Sequence, residues 1–277
     1  MQWAQTQRMR FIEDKLRWEG RINRSDVSAA FGVSMVQATT DLQAYQRLAP
    51  QNIQYDGTVR AYLPTPQMKP VFGSPSSDAV LGEMARGGGP AEIMSLPSRY
   101  IAPSILRPIL QAISDEQNVC IVYQSLSRPE STERVIRPHT FVSDGRRWHV
   151  RGYCEGTGEF RDFLLARILS VDRIDQSSKL PGPEKDTYWN SIIQIVLAPH
   201  PGLSPMQQKV IAEDYGMTEG KGLFPLRHAY LPYLLRQLNL VKETDQAREQ
   251  QLMIVNREDV DRWHEEIMPA KEVVEEA

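Results

Sequence analysis

The sequence predicts an α+β chain built from three folded parts, and three stretches carry that expectation. Residues 6–47 hold helical apolar stripes interrupted by Gly32-Val33-Ser34. Residues 134–168 alternate apolar and polar side chains between the turn signals Asp144-Gly145 and Glu155-Gly156-Thr157-Gly158, the pattern of short antiparallel strands. Residues 188–240 join an apolar strand-like run to a leucine-rich helical one. At 277 residues the chain exceeds what one hydrophobic core usually organises. The spacing predicts an N-terminal domain over 1–63, a Pro/Gly-rich connector with helices over 64–108, a sheet domain over 109–183 and a small α+β domain with an acidic tail over 184–277.

In the first part, Met9, Ile12 and Leu16 share one helical stripe, and Glu19-Gly20 ends that helix. Ser25 can cap a short second helix whose buried stripe is Val27, Ala30 and Phe31. Gly32 permits a sharp turn, Val33 plugs it and Ser34 caps a third helix. This is a helix-turn-helix in residue type and spacing. On the third helix Ala38, Leu42 and Tyr45 fall inward. Val36, Thr40, Gln43 and Arg47 fall on the opposite side, flanked by Gln37 and Thr39. Such a face, with Thr, Gln and Val and no acid, suits a major groove, where Gln reads adenine edges and Val meets thymine methyls. A plain helical hairpin with a polar face is the alternative. Two strands, 52–55 and 58–63, joined at Asp56-Gly57, would form a wing on which Arg60 and Tyr62 reach phosphates. Ser34, Val36, Gln37, Thr39, Thr40, Gln43, Arg47 and Arg60 are therefore the candidate DNA contacts.

Composition agrees with this polarity. The net charge of −3 excludes wholesale coating by nucleic acid. Residues 1–63 nevertheless carry eight Lys/Arg against six Asp/Glu, and residues 241–277 five against eleven, so the N-terminal end is the better partner for a polyanion. Eight of the 19 prolines fall in 64–108, with Gly87-Gly88-Gly89 and Ser74-Pro75-Ser76-Ser77, which reads as a connector with helices near 78–85 and 104–114. Cys120 and Cys154 lie in apolar runs and are expected as reduced, buried thiols. The N-terminus lacks an apolar leader, and no apolar run approaches the roughly 20 residues that cross a bilayer, so a cytoplasmic location and no membrane partner are expected.

The central stretch starts with strand 119–125 and has its own logic. In residues 147–153, alternation turns Trp148 and Val150 inward and Arg147, His149, Arg151 and Tyr153 outward. In the next strand it puts Leu164, Ala166 and Ile168 on one face and Arg161, Phe163, Leu165 and Arg167 on the other. Nine arginines and no lysine lie between Arg128 and Arg173. Arginine is favoured where a forked donor grips phosphate or carboxylate, so the outer face is read as an anion receptor. The alternative is a set of cross-strand ion pairs with Glu130, Glu133, Asp144, Glu155, Glu159, Asp162 and Asp172. After Leu180-Pro181-Gly182-Pro183, a strand within 188–198, a helix at 206–215, a strand at 222–228 and a helix at 230–240 form a piece with apolar excess, expected to complete its core against another domain or a second copy.

The run Arg134, Pro138, Phe141, Asp144-Gly145, Trp148-His149-Val150, Gly152-Tyr153, Arg161-Asp162-Phe163 and Arg167-Ile168 resembles a WYL domain, whose name-giving triplet stands here as Trp148-His149-Val150. With PHPGLSPMQQKVIAEDYGM at 199–217 and YLPYLLRQLNL at 230–240, the chain resembles the BrxR/CapW type of repressor found beside anti-phage BREX and CBASS systems. The resemblance implies a small Sm/SH3-like β-barrel in the middle, a C-terminal dimerisation domain, a homodimer on an inverted-repeat operator in double-stranded DNA, and a pocket for an anionic effector, a nucleotide or nucleic acid. Carried onto this sequence, the pocket candidates are His139, His149, Arg151, Tyr153, Arg161, Phe163 and Arg167, with Tyr123 and Ser125 at the rim.

Other chemistry finds little support. His139, His149, His200, His228 and His264 show no metal-ligand spacing. There is no phosphate-cradling glycine loop and no nucleophile elbow, and a base at His149 near Asp144 lacks a nucleophile. No cofactor, no metal and no catalysis are expected. A second reading makes the chain a WYL-type RNA- or nucleotide-binding adaptor that tunes a partner enzyme through protein contacts.

Overall fold

Helix α1, Trp3–Glu19, buries Met9, Ile12 and Leu16 as expected. It belongs to a computed structural model that describes residues 3–268, apart from 74, 87–88, 95–96, 98 and 175–179. Ser74, Gly87 and Gly88 of the expected connector, and the acidic tail beyond residue 268, lie outside the described residues. The chain folds as two units, Met1–Pro97 and Ser98–Ala277.

In the first unit, α2 (Arg24–Phe31) is capped by Asn23 and not by Ser25. Asn23 accepts from Ser25 N and Asp26 N, and Asp26 answers by accepting from Asn23 N, a reciprocal capping box that satisfies more end groups than a serine one residue later could. Val27 is buried, but Ala30 and Phe31 are exposed. The stripe is narrower than expected because Phe31 leans edge-on against Phe11 of α1 at 5.3 Å. Gly32 takes the left-handed conformation, φ 64°, that a side chain rarely adopts. Ser34 caps α3 (Met35–Leu48) by accepting from Gln37 N, and Ala38, Leu42 and Tyr45 enter the core.

The wing differs from a two-residue hairpin. Strands β1 (Ile53–Asp56) and β2 (Ala61–Pro64) pair with Asp56 opposite Ala61, leaving residues 57–60 as the loop. Asp56 accepts from Thr58 N (2.7 Å) and Val59 N, and Arg60 takes a left-handed φ of 52°, so the side chain of Asp56 builds a longer turn. Ile22 adds a bridge to Tyr62 on the other edge.

Packing continues past residue 63. Glu13 is buried and accepts from Tyr45 Oη, Val71 N and Phe72 N at 2.7–2.9 Å. Asn52 donates to Tyr45 Oη and Lys69 O and accepts from Lys69 N. The first residues of the expected connector are thus bound to the winged helix by its buried polar groups. Helix α4 (Ser77–Arg86) follows, with no buried residue.

The second unit begins with α5 (Pro103–Ser114), which lays Ile105, Ile109 and Ala112 onto the sheet. That sheet has five antiparallel strands: β3 (Val119–Tyr123), β4 (Thr132–Ser143), β5 (Trp148–Cys154), β6 (Glu159–Leu164) and β7 (Ile168–Arg173), in the order β6-β5-β4-β3-β7. The two edge strands are joined by a single 3-10 turn, Leu165–Arg167. A three-residue link between opposite edges requires the sheet to curl on itself, the geometry of a small barrel. This turn also interrupts the continuous strand expected over 160–168.

The C-terminal elements follow in the same unit: α6 (Thr187–Asn190), β8 (Ile192–Pro199), α7 (Pro205–Asp214), β9 (Gly222–Arg227), a 3-10 turn at His228–Tyr230, α8 (Leu231–Gln237), β10 (Leu252–Ile254) and α9 (Arg257–Ile267). The sheet order is β10-β8-β9. Strand β10 was not anticipated, and α9 is anchored by buried Val260. The core of this piece is Ile193, Ile195, Leu197, Leu231, Leu235 and neighbours. Ile192, Met206, Val210 and Leu223 stay 54–69% exposed, and Met206 and Val210 line one apolar cleft on α7. No helix among the described residues is long and apolar enough to cross a membrane.

Candidate functional site

On α3, Val36, Thr40, Gln43 and Arg47 are exposed together, and Ser34 and Arg60 are exposed as well. Gln37 and Thr39 are half-buried. The only acid of α3, Asp41, is fully buried. It accepts from Arg8 Nε at 2.6 Å and from Gln37 Nε2 at 3.2 Å. The outward face of the helix therefore carries no carboxylate. Thr39 and Thr40 donate to the carbonyls of Met35 and Val36 (2.8 and 3.0 Å), so their methyl groups are turned away from those bonds.

In the second unit a cavity of about 110 Å³ opens between the barrel and the C-terminal elements. Of the nine expected effector residues, Tyr123, Ser125, Arg151, Arg161, Phe163 and Arg167 line it. His149 lines a smaller space of about 30 Å³ that shares Tyr123, Asp162, Arg167 and Tyr233 with the first. His139 and Tyr153 line neither. His139 is the extra residue of a bulge, since Pro138 pairs with Gly152 and Thr140 with Arg151. The bulge re-aims its ring to Asp186, at 3.1 Å. It needs glycine at 152, where a Cβ would lie 2.6 Å from the Arg137 carbonyl oxygen. Tyr153 packs edge-on against Phe160.

The register corrects the expected faces. Val150 pairs with Phe163 and Arg151 with Asp162, and paired residues share a face. Arg161 and Phe163 therefore side with Val150, and Asp162 sits beside Arg151. Phe163 joins the barrel core and still edges the cavity. Trp148, expected in the core, is 53% exposed. It has the inward parity but stands at the strand end, opposite Ser143. The His149/Arg151 face is not solvent-facing. Both residues are buried, because α8 and the segment before α6 cover them.

Arg151 donates to Asp186 through Nε (2.6 Å) and Nη2 (2.9 Å) and to Asp162 through Nη1 (3.2 Å). Burial works against its charge, yet the two carboxylates raise its pKa. Burial alone would push Asp186 up, but bonds from His139 and Arg151 outweigh it and hold it at about 2. Tyr233 of α8 donates to Asp162 (2.7 Å) and packs at a tilt against His149, ring centres 5.2 Å apart. Burial lowers the pKa of His149, against the pull of Asp162 and Asp144, and its buried Nδ1 has no hydrogen-bond partner among the described residues. The ion-pair alternative thus holds for Arg151.

Two other arginines differ. Arg134 lies over the rings of Tyr123 and Phe163 at 5.7 and 5.9 Å and bonds Thr132. Neither it nor Arg167 has a carboxylate partner among the described residues. Sequence reasoning left Arg134 outside the site, together with Phe160, Asp162, Asp186, Tyr233 and Met268. Arg134 could have been found by its cross-strand position; the C-terminal wall had no local signal.

A winged helix followed by a small barrel with a basic pocket, then a three-stranded antiparallel sheet with helices, is the build of a transcription regulator of the WYL class. Family models match in that order. The BrxR transcriptional regulator winged helix-turn-helix domain covers residues 4–86, the WYL domain 104–173 and the BrxR transcriptional regulator C-terminal dimerization domain 192–260. A protein of Escherichia coli named DNA-binding transcriptional repressor CapW is 36% identical over 279 residues, covering 93% of this chain and 91% of its own. Proteins of the same name from Pseudomonas aeruginosa (37% over 274 residues, 93% and 91%) and Stenotrophomonas maltophilia (36% over 282 residues, 96% and 94%) are as similar. The chain belongs to the CapW family, as the motif at 134–168 together with the stretches at 199–217 and 230–240 implied.

Proposed function

We propose that this chain is a DNA-binding transcriptional repressor that acts as a homodimer on an inverted repeat, controls a phage-defence operon and is relieved by an anionic effector. The observation that carries the reading is the acid-free outward face of α3. Val36, Thr40, Gln43 and Arg47 stand exposed while Asp41 is drawn inside by Arg8 and Gln37. A carboxylate on that face would repel phosphates and base acceptors. Two copies would set the half-site spacing, and the exposed apolar residues of the C-terminal piece, within the stretch matched by a dimerization-domain model, support the pairing. The regulatory role named for its relatives speaks for a non-enzyme at work in the cytoplasm.

Arg134 and Arg167 are the effector's anchors in this reading, with Tyr123 and Phe163 as ring platforms. The effector would shift the dimer between DNA-competent and incompetent states only by binding them unequally. An electrophoretic shift with DNA from upstream of the protein's own reading frame tests the first part. Retarded operator and unretarded scrambled DNA at physiological salt are expected; equal affinity for both would sink the reading.

A further inference from the structure

A second basic cleft, of about 290 Å³, opens beside the WYL pocket, with Tyr233 as the wall between them. Arg99, Arg146, Arg147 and Arg236 line it, with Asp144 the only acid among the described lining residues. Three separate parts of the fold supply these guanidinium groups: the β4–β5 turn, α8, and the chain ahead of α5. The turn and α8 are fixed to each other. Asp144 accepts from the backbone N–H groups of Arg146 (2.8 Å) and Arg147 (2.6 Å) and from Arg147 Nε (2.9 Å), while Gln237 at the end of α8 donates to the Asp144 carbonyl. The single carboxylate is thereby committed to the turn itself. Arg99 and Arg146 make no ion pair among the described residues. Arg99 and Arg146 thus bring uncompensated positive charge to one concavity, and an anion placed there relieves their repulsion. A solvated surface would also mix in lysine, and the described lining residues include none.

We infer that this cleft is a second anion site, built for the phosphates of a small polyphosphate group, free or as the tail of a nucleotide. Forked guanidinium groups from two fixed elements match phosphate oxygens. A volume of about 290 Å³ is at the small end of ligand pockets, roughly 300–1,000 Å³, and so fits a di- or triphosphate more closely than a whole nucleotide. The inference does not rest on the effector reading, which uses Arg134 and Arg167.

Titration calorimetry with inorganic tripolyphosphate, on the full chain at about 0.15 M salt, tests it. Saturable binding is expected, weakened about tenfold or more in Arg146→Ala/Arg236→Ala and unchanged in Arg134→Ala/Arg167→Ala. Both cleft residues have exposed side chains, so melting temperatures should match the unaltered protein. ATP in a parallel arm distinguishes the sources, since tighter binding than tripolyphosphate assigns a nucleotide and equal binding the free polyphosphate. No binding at millimolar tripolyphosphate, binding indifferent to Arg146 and Arg236, or binding lost only with Arg134 and Arg167 would each overturn the proposal.

Discussion

Arg151 on β5 and Asp186 ahead of α6 form a two-pronged ion pair, 2.6 and 2.9 Å long and buried on both sides. It joins the barrel to the C-terminal elements within the one compact unit of residues 98–277. Removing one partner strands a buried charge. Arg151→Ala or Asp186→Ala should cost about 3–5 kcal/mol and lower the melting temperature by many degrees. Arg167→Ala, with no carboxylate to strand, should melt like the unaltered protein. Equal losses in the two arginine variants would contradict the pairing.

The same pair sets an acid limit. Asp186 is held at about 2, below its ordinary 3.8. A carboxylate depressed on folding stabilises the fold fully above its unfolded value, and that stabilisation is lost as the pH falls through the folded one. Thermal melts should therefore show stability declining between about pH 4 and pH 2, with a shallower decline in Asp186→Asn.

How much of this was legible in the sequence depends on the range of the interaction. Ser34, Gly32 and the inward set Ala38, Leu42 and Tyr45 follow from spacing within one helix, and the structure places them as expected. The parity of His149 and Arg151 was equally local and correct. What covers them was not, because Asp186 and Tyr233 are 35 and 71 residues from their partners Arg151 and Asp162. Registration between β5 and β6 escaped for a related reason. Alternation gives each strand two faces but does not say which faces match, so Arg161 and Phe163 were grouped with Arg151 when Asp162 is its neighbour. The bulge at His139 likewise leaves no mark in the pattern except the glycine at 152.

On α3, Gln43 has no competing bond among the described residues and is exposed, whereas Gln37 is engaged with Asp41. Gln43→Ala should therefore weaken operator binding by about 1–3 kcal/mol and relax selectivity at one base pair. Arg47→Ala should weaken binding to all sequences alike and reduce the salt dependence by about one phosphate contact. Binding curves on operator and single-base variants at several salt concentrations separate the two. A uniform loss for Gln43→Ala would mean that it touches backbone and not bases.

Glu13 offers the last test, because three donors converge on one buried carboxylate: Tyr45 Oη, Val71 N and Phe72 N. Glu13→Ala strands all three in a place water does not reach, at about 1–3 kcal/mol for each donor left unsatisfied. The winged-helix unit should lose much of its stability, and its DNA binding with it. Tyr45→Phe removes a single donor and leaves the Val71 and Phe72 amides bound, so its cost should be smaller, about 1 kcal/mol, and operator binding should survive. Chemical denaturation of the two variants, followed by hydrogen exchange at Val71 and Phe72, reads the difference directly. Slow exchange at those amides in Glu13→Ala would show that something other than the Glu13 carboxylate holds residues 69–72 against the winged helix.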